Sequence, residues 1–225
     1  VAQAVAAVNY HNLTMSVGGT KTLASGTVGV AGNFTISGGT VNATANNTTV
    51  NFNGSGTQAV PAINYYSLTM SNGGTKTFGS GTIGIAKDFV VTGGTVDATT
   101  NTTTININGT GAQAIAAINY HNLTVSVNGG TKTFASGTTG IAGNFTLTAG
   151  VIDATSNSTT IDFNGSGTQA VAAVNYHNLT FSNGGTKTFA SGTTGIAGNF
   201  TVSGGTANAT ANSTTIDFNG SGAQA

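Results

Sequence analysis

Three histidines, His11, His121 and His177, occupy one position of a repeating sequence, and Tyr66 stands there once. Imidazole ligates metals and titrates near neutrality, so a column of histidines would offer a metal-binding or pH-sensitive strip. Tyr66 interrupts the column, and the groups recurring beside it are Tyr and Asn, with no second histidine or carboxylate. A structural or surface role is expected. A second candidate, Asp162-Phe-Asn164-Gly-Ser166-Gly167 with its copy at Asp217–Gly222, has oxygen ligands at alternate positions, like the opening of a calcium loop. Ala173 fills the twelfth position, where such a loop needs a carboxylate, and Asn51 or Asn106 replaces the leading Asp in earlier copies. The pattern reads as a β corner.

For catalysis the inventory is thin. There is no Glu, no Cys and no recurring Asp–His pairing, so neither an acid–base pair nor a nucleophile with an orienting base is legible. No enzyme activity, catalytic residue, cofactor or metal site is expected. Thr-Lys-Thr triplets at Thr20, Thr75, Thr131 and Thr186 invite an ice-binding reading, but the triplet occurs only once per repeat and carries a cation between the threonines. Those lysines are expected to be solvated charges or gatekeepers against wrong strand pairing. Asn-Xaa-Ser/Thr triplets, among them Asn12, Asn33, Asn122, Asn144, Asn178 and Asn199, match glycosylation acceptors formally and follow from composition.

The charge balance narrows the partners. Five lysines face five aspartates without any arginine, which argues against a phosphate backbone or an anionic membrane surface as ligand. Neither nucleic-acid binding nor membrane insertion is expected: no apolar run reaches spanning length. The absence of cysteine removes disulfides and thiolate metal sites, and no signal peptide opens the sequence, so any targeting segment is expected outside it.

The elements that must position these residues follow from repetition. Tyr10, Tyr65, Tyr120 and Tyr176 mark a period of about 55 residues, its last step lengthened by one extra residue near Val127. Four units, near 3–57, 58–112, 113–168 and 169–223, are expected to form one continuous domain over 1–225, an excerpt of a longer array because neither end departs from the pattern. Within a unit, Gly195-Ile196-Ala197-Gly198-Asn199-Phe200-Thr201-Val202 alternates with period two, hence a strand, and Gly-Gly, Ser-Gly and Asn-Gly pairs supply turns. Asn178 and Asn199 begin similar segments, and the offset between them is the length of one β-helix coil. The fold class is therefore all-β: a parallel β-helix with two or three coils per unit, turning inward Leu179, Phe181, Ile196, Phe200, Val202, Ile216 and Phe218. Asn12, Asn122 and Asn178, with Ser67 substituting once, are expected to form a ladder. The Asn-Gly steps at Asn53, Asn108, Asn164 and Asn219 are expected to supply positive torsions, and Ala43, Ala98, Ala154 and Ala209 to let the interior close.

The combination Gly-Thr-Gln-Ala-Val, Asn-Tyr-His-Asn-Leu-Thr and Gly-Gly-Thr-Lys-Thr-Phe resembles repeats of large secreted, adhesin-like surface proteins of Bacteroidota and related bacteria. The resemblance spans the chain four times; Pro61, Tyr66-Ser67 and Lys87-Asp88 are the main departures. It implies an extracellular or cell-surface location and a filament role, and carries no active site. The expected function is a structural shaft of a filament or adhesin stalk that self-associates by stacking coils, with any cell contact made by regions outside this sequence. The alternative is an ice-binding or ligand-binding adhesin repeat.

Overall fold

The computed structural model describes residues 2–224. They contain strands and turns and no helix, in two compact units, Val1–Gly109 and Thr110–Ala225. Each unit is a parallel β-solenoid.

In the first unit the chain passes through Gln3–Val5, Asn9–Tyr10 and Leu13–Met15, then turns onto Thr20–Leu23, Thr27–Val30 and Phe34–Ile36, which lie parallel to those three in the same order. Thr40–Asn42 and Thr49–Phe52 form a third layer. Lys21 pairs with Gln3 in the coil before it and with Val41 in the coil after it, and Gln58, the copy of Gln3, then opens the next repeat. The repeat therefore has three coils, and within a unit it advances about 14 Å at one interstrand spacing per coil. The second unit repeats the plan: Gln169–Val171, Thr186–Phe189 and Thr206–Asn208 pair in parallel as their counterparts do.

The third coil is irregular. Thr49–Phe52 pairs with Thr27–Val30 on one side but with Ser67–Met70 on the other, so a ladder that starts at Asn9 reaches Thr69, the copy of Thr14. Tyr65, the copy of Tyr10, is displaced from this ladder and bridges Ala43 and Ile85 instead. Ala43, Ala98 and Ala154 are buried, as expected of small residues that let the interior close, whereas Ala209 is half-buried.

Alternation places the core. Val28, Val30, Val50, Phe52, Leu68 and Met70 are fully buried in the first unit, and Ile141, Ile161, Phe163, Leu179, Phe181 and Ile196 in the second. Burial of each such side chain stabilises by about 1.5–3 kcal/mol. The inward set needs correction at its end. Phe200 and Ile216 are half-buried, Val202 is 46% exposed and Phe218 is 51% exposed. Val202 occupies a position that is only half-buried in its copies Ile36, Val91 and Leu147. Phe218 does face the interior, 6.5 Å from the Phe200 ring, but its strand Thr214–Phe218 is paired on one side only, whereas its copies Phe52, Ile107 and Phe163 are covered.

Candidate functional site

The lysines overturn their expected role. Lys76, Lys132 and Lys187 are fully buried and Lys21 nearly so. In Thr-Lys-Thr-Phe the lysine shares its parity with an inward phenylalanine, and the strand Thr75–Phe78 buries Lys76 and Phe78 together. A buried ammonium requires acceptors. Lys76 Nζ donates to Gly54 O at 2.6 Å and Gly73 O at 2.6 Å, Lys187 Nζ to the carbonyls of Gly165, Gly167 and Gly184, and Lys132 Nζ to those of Gly111 and Gly129. Burial lowers the pKa of all three; at Lys187 the nearby Asp162 opposes that shift.

Beside each of the three fully buried lysines lies a buried glutamine of the preceding coil, whereas Gln3 beside Lys21 is exposed. Gln58 pairs with Lys76, and Gln169 with Lys187. Gln58 Nε2 donates to Val30 O at 2.8 Å and Gly32 O at 2.7 Å, while its Oε1 accepts Gly54 N–H at 2.9 Å. Gln169 repeats this with Ile141, Gly143 and Gly165. The Asn-Gly corners differ from expectation: Gly54 and Gly165 do not have positive φ. They are glycine because a Cβ would lie 2.0 Å from the carbonyl oxygen of Ala31 or Ala142 in the coil below.

Tyr65, Tyr120 and Tyr176 complete the buried polar set. Each hydroxyl donates to a carbonyl four residues back, of Pro61, Ala116 and Ala172, at 2.9 Å, and burial raises each phenol's pKa.

The histidines do not converge. One falls in each of three repeats; His11 is exposed, and His121 and His177 are half-buried. Their main chain is used structurally: the carbonyls of His121 and His177 accept Gly143 N–H and Gly198 N–H at 2.7 Å. Among the described residues no three His, Cys, Asp or Glu side chains gather to hold a metal. In the calcium-like segment, both carboxylate oxygens of Asp162 accept Ser182 Oγ at 2.8 Å. Asp97 and Asp153 cap turns. Burial opposes the charge of Asp97, but hydrogen bonds from Thr100 and Thr99 prevail and lower its pKa to about 2. Hydrogen bonds from Ser156 and Thr155 do the same at Asp153, also to about 2.

The asparagine ladder is absent in the expected form. Oδ1 of Asn12, Asn122 and Asn178 accepts the main-chain N–H of Asn33, Asn144 and Asn199 in the next coil, at 2.8, 2.8 and 2.9 Å. These are bridges from side chain to backbone between coils. Outside, the turned-in lysines leave Thr75 and Thr77 flanking the surface, but the columns run Thr75–Thr95 and Ala59–Thr77–Asp97. An alanine and a carboxylate break the second threonine row.

Two equivalent surface clefts recur, of about 480 Å³ along Phe34–Ile36 and Ala59–Ile63, and about 380 Å³ along Phe145–Leu147 and Ala170–Ala173. Their walls carry no charged side chain. Comparison with protein-family models, curated proteins and solved structures found no match.

Buried Lys, Gln and Tyr thus emerge as the principal polar residues, and their chemistry is directed inward at the main chain.

Proposed function

We infer that this chain is a structural repeat, the non-catalytic shaft of an extracellular filament or adhesin stalk assembled by stacking β coils. The observation that carries the reading is recurrence of a complete assembly: Gln58, Lys76 and Phe78 return as Gln169, Lys187 and Phe189, with the same registers and the same carbonyl partners. A coil that offers its successor the surface it received from its predecessor can be continued by adding copies. Parallel ladders and buried side chain-to-backbone bonds make local opening costly, which suits a load-bearing element. The resemblance to secreted adhesin-like repeats supports a cell-surface setting, with any cell contact made by other regions of the protein. Ice binding is the weaker reading, because Ala59 and Asp97 interrupt the threonine row.

Sedimentation velocity over a wide concentration range tests self-association. Species of increasing mass at higher concentration are expected. A single monomeric boundary throughout contradicts assembly by coil stacking.

A further inference from the structure

Two sets of Asn-Gly steps occupy different corners, and the fold treats them in opposite ways. Asn-Gly is intrinsically open to succinimide formation, because glycine leaves the following main-chain nitrogen unhindered. At Asn53-Gly54 and Asn164-Gly165, that nitrogen donates to the buried Gln58 Oε1 at 2.9 Å or Gln169 Oε1 at 3.0 Å. Both bonds are buried and point the N–H at the glutamine and not at the asparagine's own amide, so the nitrogen neither meets Cγ nor readily gives its proton to water.

Asn72-Gly73 lies in an exposed corner, with Asn72 at φ 64°. Gly73 N–H donates to Asn72's own Oδ1 at 2.9 Å, which sets Cγ beside the nitrogen that would attack it. Asn72 Nδ2 donates to Asn53 O at 3.2 Å, so the donor and acceptor roles agree on which end of the amide faces Gly73. Asn183 shares the exposure, a φ of 62° and the matching Nδ2 bond to Asn164 O at 3.2 Å. Asn128, in the third repeat's copy of this corner, turns its Oδ1 to Gly150 N–H at 3.0 Å and is left out of the assignment.

We propose that Asn72 and Asn183 are sites of spontaneous conversion to aspartate and isoaspartate, while the buried glutamines protect Asn53 and Asn164. The Gly73 nitrogen gives its proton to solvent and bonds to Asn72 Cγ, the Cγ–Nδ2 bond breaks, and Nδ2 takes a proton back from solvent and leaves as ammonia. Water then opens the succinimide at either carbonyl. One water is consumed and one ammonia released, with no change in oxidation state. The product acts on the lysine anchors, because Gly73 O and Gly184 O accept Lys76 Nζ and Lys187 Nζ at 2.6 and 2.7 Å. Isoaspartate routes the main chain through an additional carbon just before those carbonyls.

The test is to age the folded protein at mildly alkaline pH, then unfold and digest it, and quantify each Asn-Gly peptide by mass spectrometry with separation of isoaspartate. Conversion at Asn72 and Asn183 is expected to be at least about tenfold faster than at Asn53 and Asn164, the factor supplied by one buried hydrogen bond to the glutamine that must break before the nitrogen can turn to Cγ. In denaturant the four should convert at comparable rates. Equal rates in the folded protein overturn the assignment. So does an Asn72 or Asn183 that persists in the folded protein while the denatured chain converts.

Discussion

Gln58 and Lys76 hold the two polar groups of a single residue, Gly54: its N–H donates to Gln58 Oε1 and its C=O accepts Lys76 Nζ. Their strands are adjacent and parallel, so one corner is fixed from two successive coils. Lys76→Met leaves the Gly54 and Gly73 carbonyls without their charged donor and is expected to destabilise by about 2–3 kcal/mol. Gln58→Leu should cost about 2 kcal/mol, and the double variant less than the sum, because both act through Gly54. Urea denaturation of the four proteins measures the coupling; strict additivity contradicts a shared lock.

Thr139 and Thr194 occupy the inward position that Val28 and Ile83 hold in the first two repeats, fully buried, with hydroxyls that have no hydrogen-bond partner. Thr139→Val and Thr194→Val are each expected to stabilise by about 1 kcal/mol, since they remove an uncompensated buried hydroxyl. A higher urea midpoint at unchanged slope is the expected signature.

Glycines at neighbouring positions should respond differently. Gly54→Ala drives a Cβ to 2.0 Å from Ala31 O, whereas a Cβ at Gly56 meets nothing within 4 Å. Gly54→Ala is expected to lose about 3 kcal/mol or more, within the range of severe core strain, and Gly56→Ala to change stability by about 0.5 kcal/mol or less. Thermal melts of the two variants make the comparison.

Much of this organisation is legible in local sequence. Alternation marks the β character of Gly195–Val202 because a two-residue period is a property of neighbouring side chains. The single strand expected there is two, however, Gly192–Ile196 and Phe200–Val202, which turn at a corner between them and pair in different sheets. The period of the tyrosines exposes the stacking. The buried lysines are harder to read. Of the two carbonyls that hold Lys76, that of Gly73 is local, but that of Gly54 lies in the preceding coil, and no local rule brings Gly54 and Lys76 together. A signal was nevertheless present: Lys76 is two positions from Phe78, and Gln58 two from Val60, each on the parity of an inward side chain. The shift of the third coil, which takes Tyr65 off the Thr49–Phe52 ladder, depends on pairing between coils and leaves no mark in any one strand.

Acid and alkali should act through different residues. Asp97 and Asp153 have folded pKa values of about 2, below the ordinary carboxylate value, so their stabilisation is complete above pH ~4 and is lost as pH falls toward 2. The buried tyrosines have raised values, so the unfolded chain ionises first and stability falls once pH exceeds ~10. The lysines, with lowered values, add stability as pH rises toward ~10.4 and delay the onset of that fall. Melting temperature against pH checks both limbs, and Asp97→Asn with Asp153→Asn should flatten the acid limb.

Electron microscopy of three proteins tests most directly whether a stacked core, rather than a chemical site, carries function. The unaltered chain and the double variant His121→Gln, His177→Gln should both form filaments, because those histidines belong to no convergent site among the described residues. Phe163→Asp should abolish filaments, since it places an unpaired carboxylate where the ring is fully buried 6.0 Å from Phe181. Filaments that survive Phe163→Asp but vanish with the histidines would contradict the account.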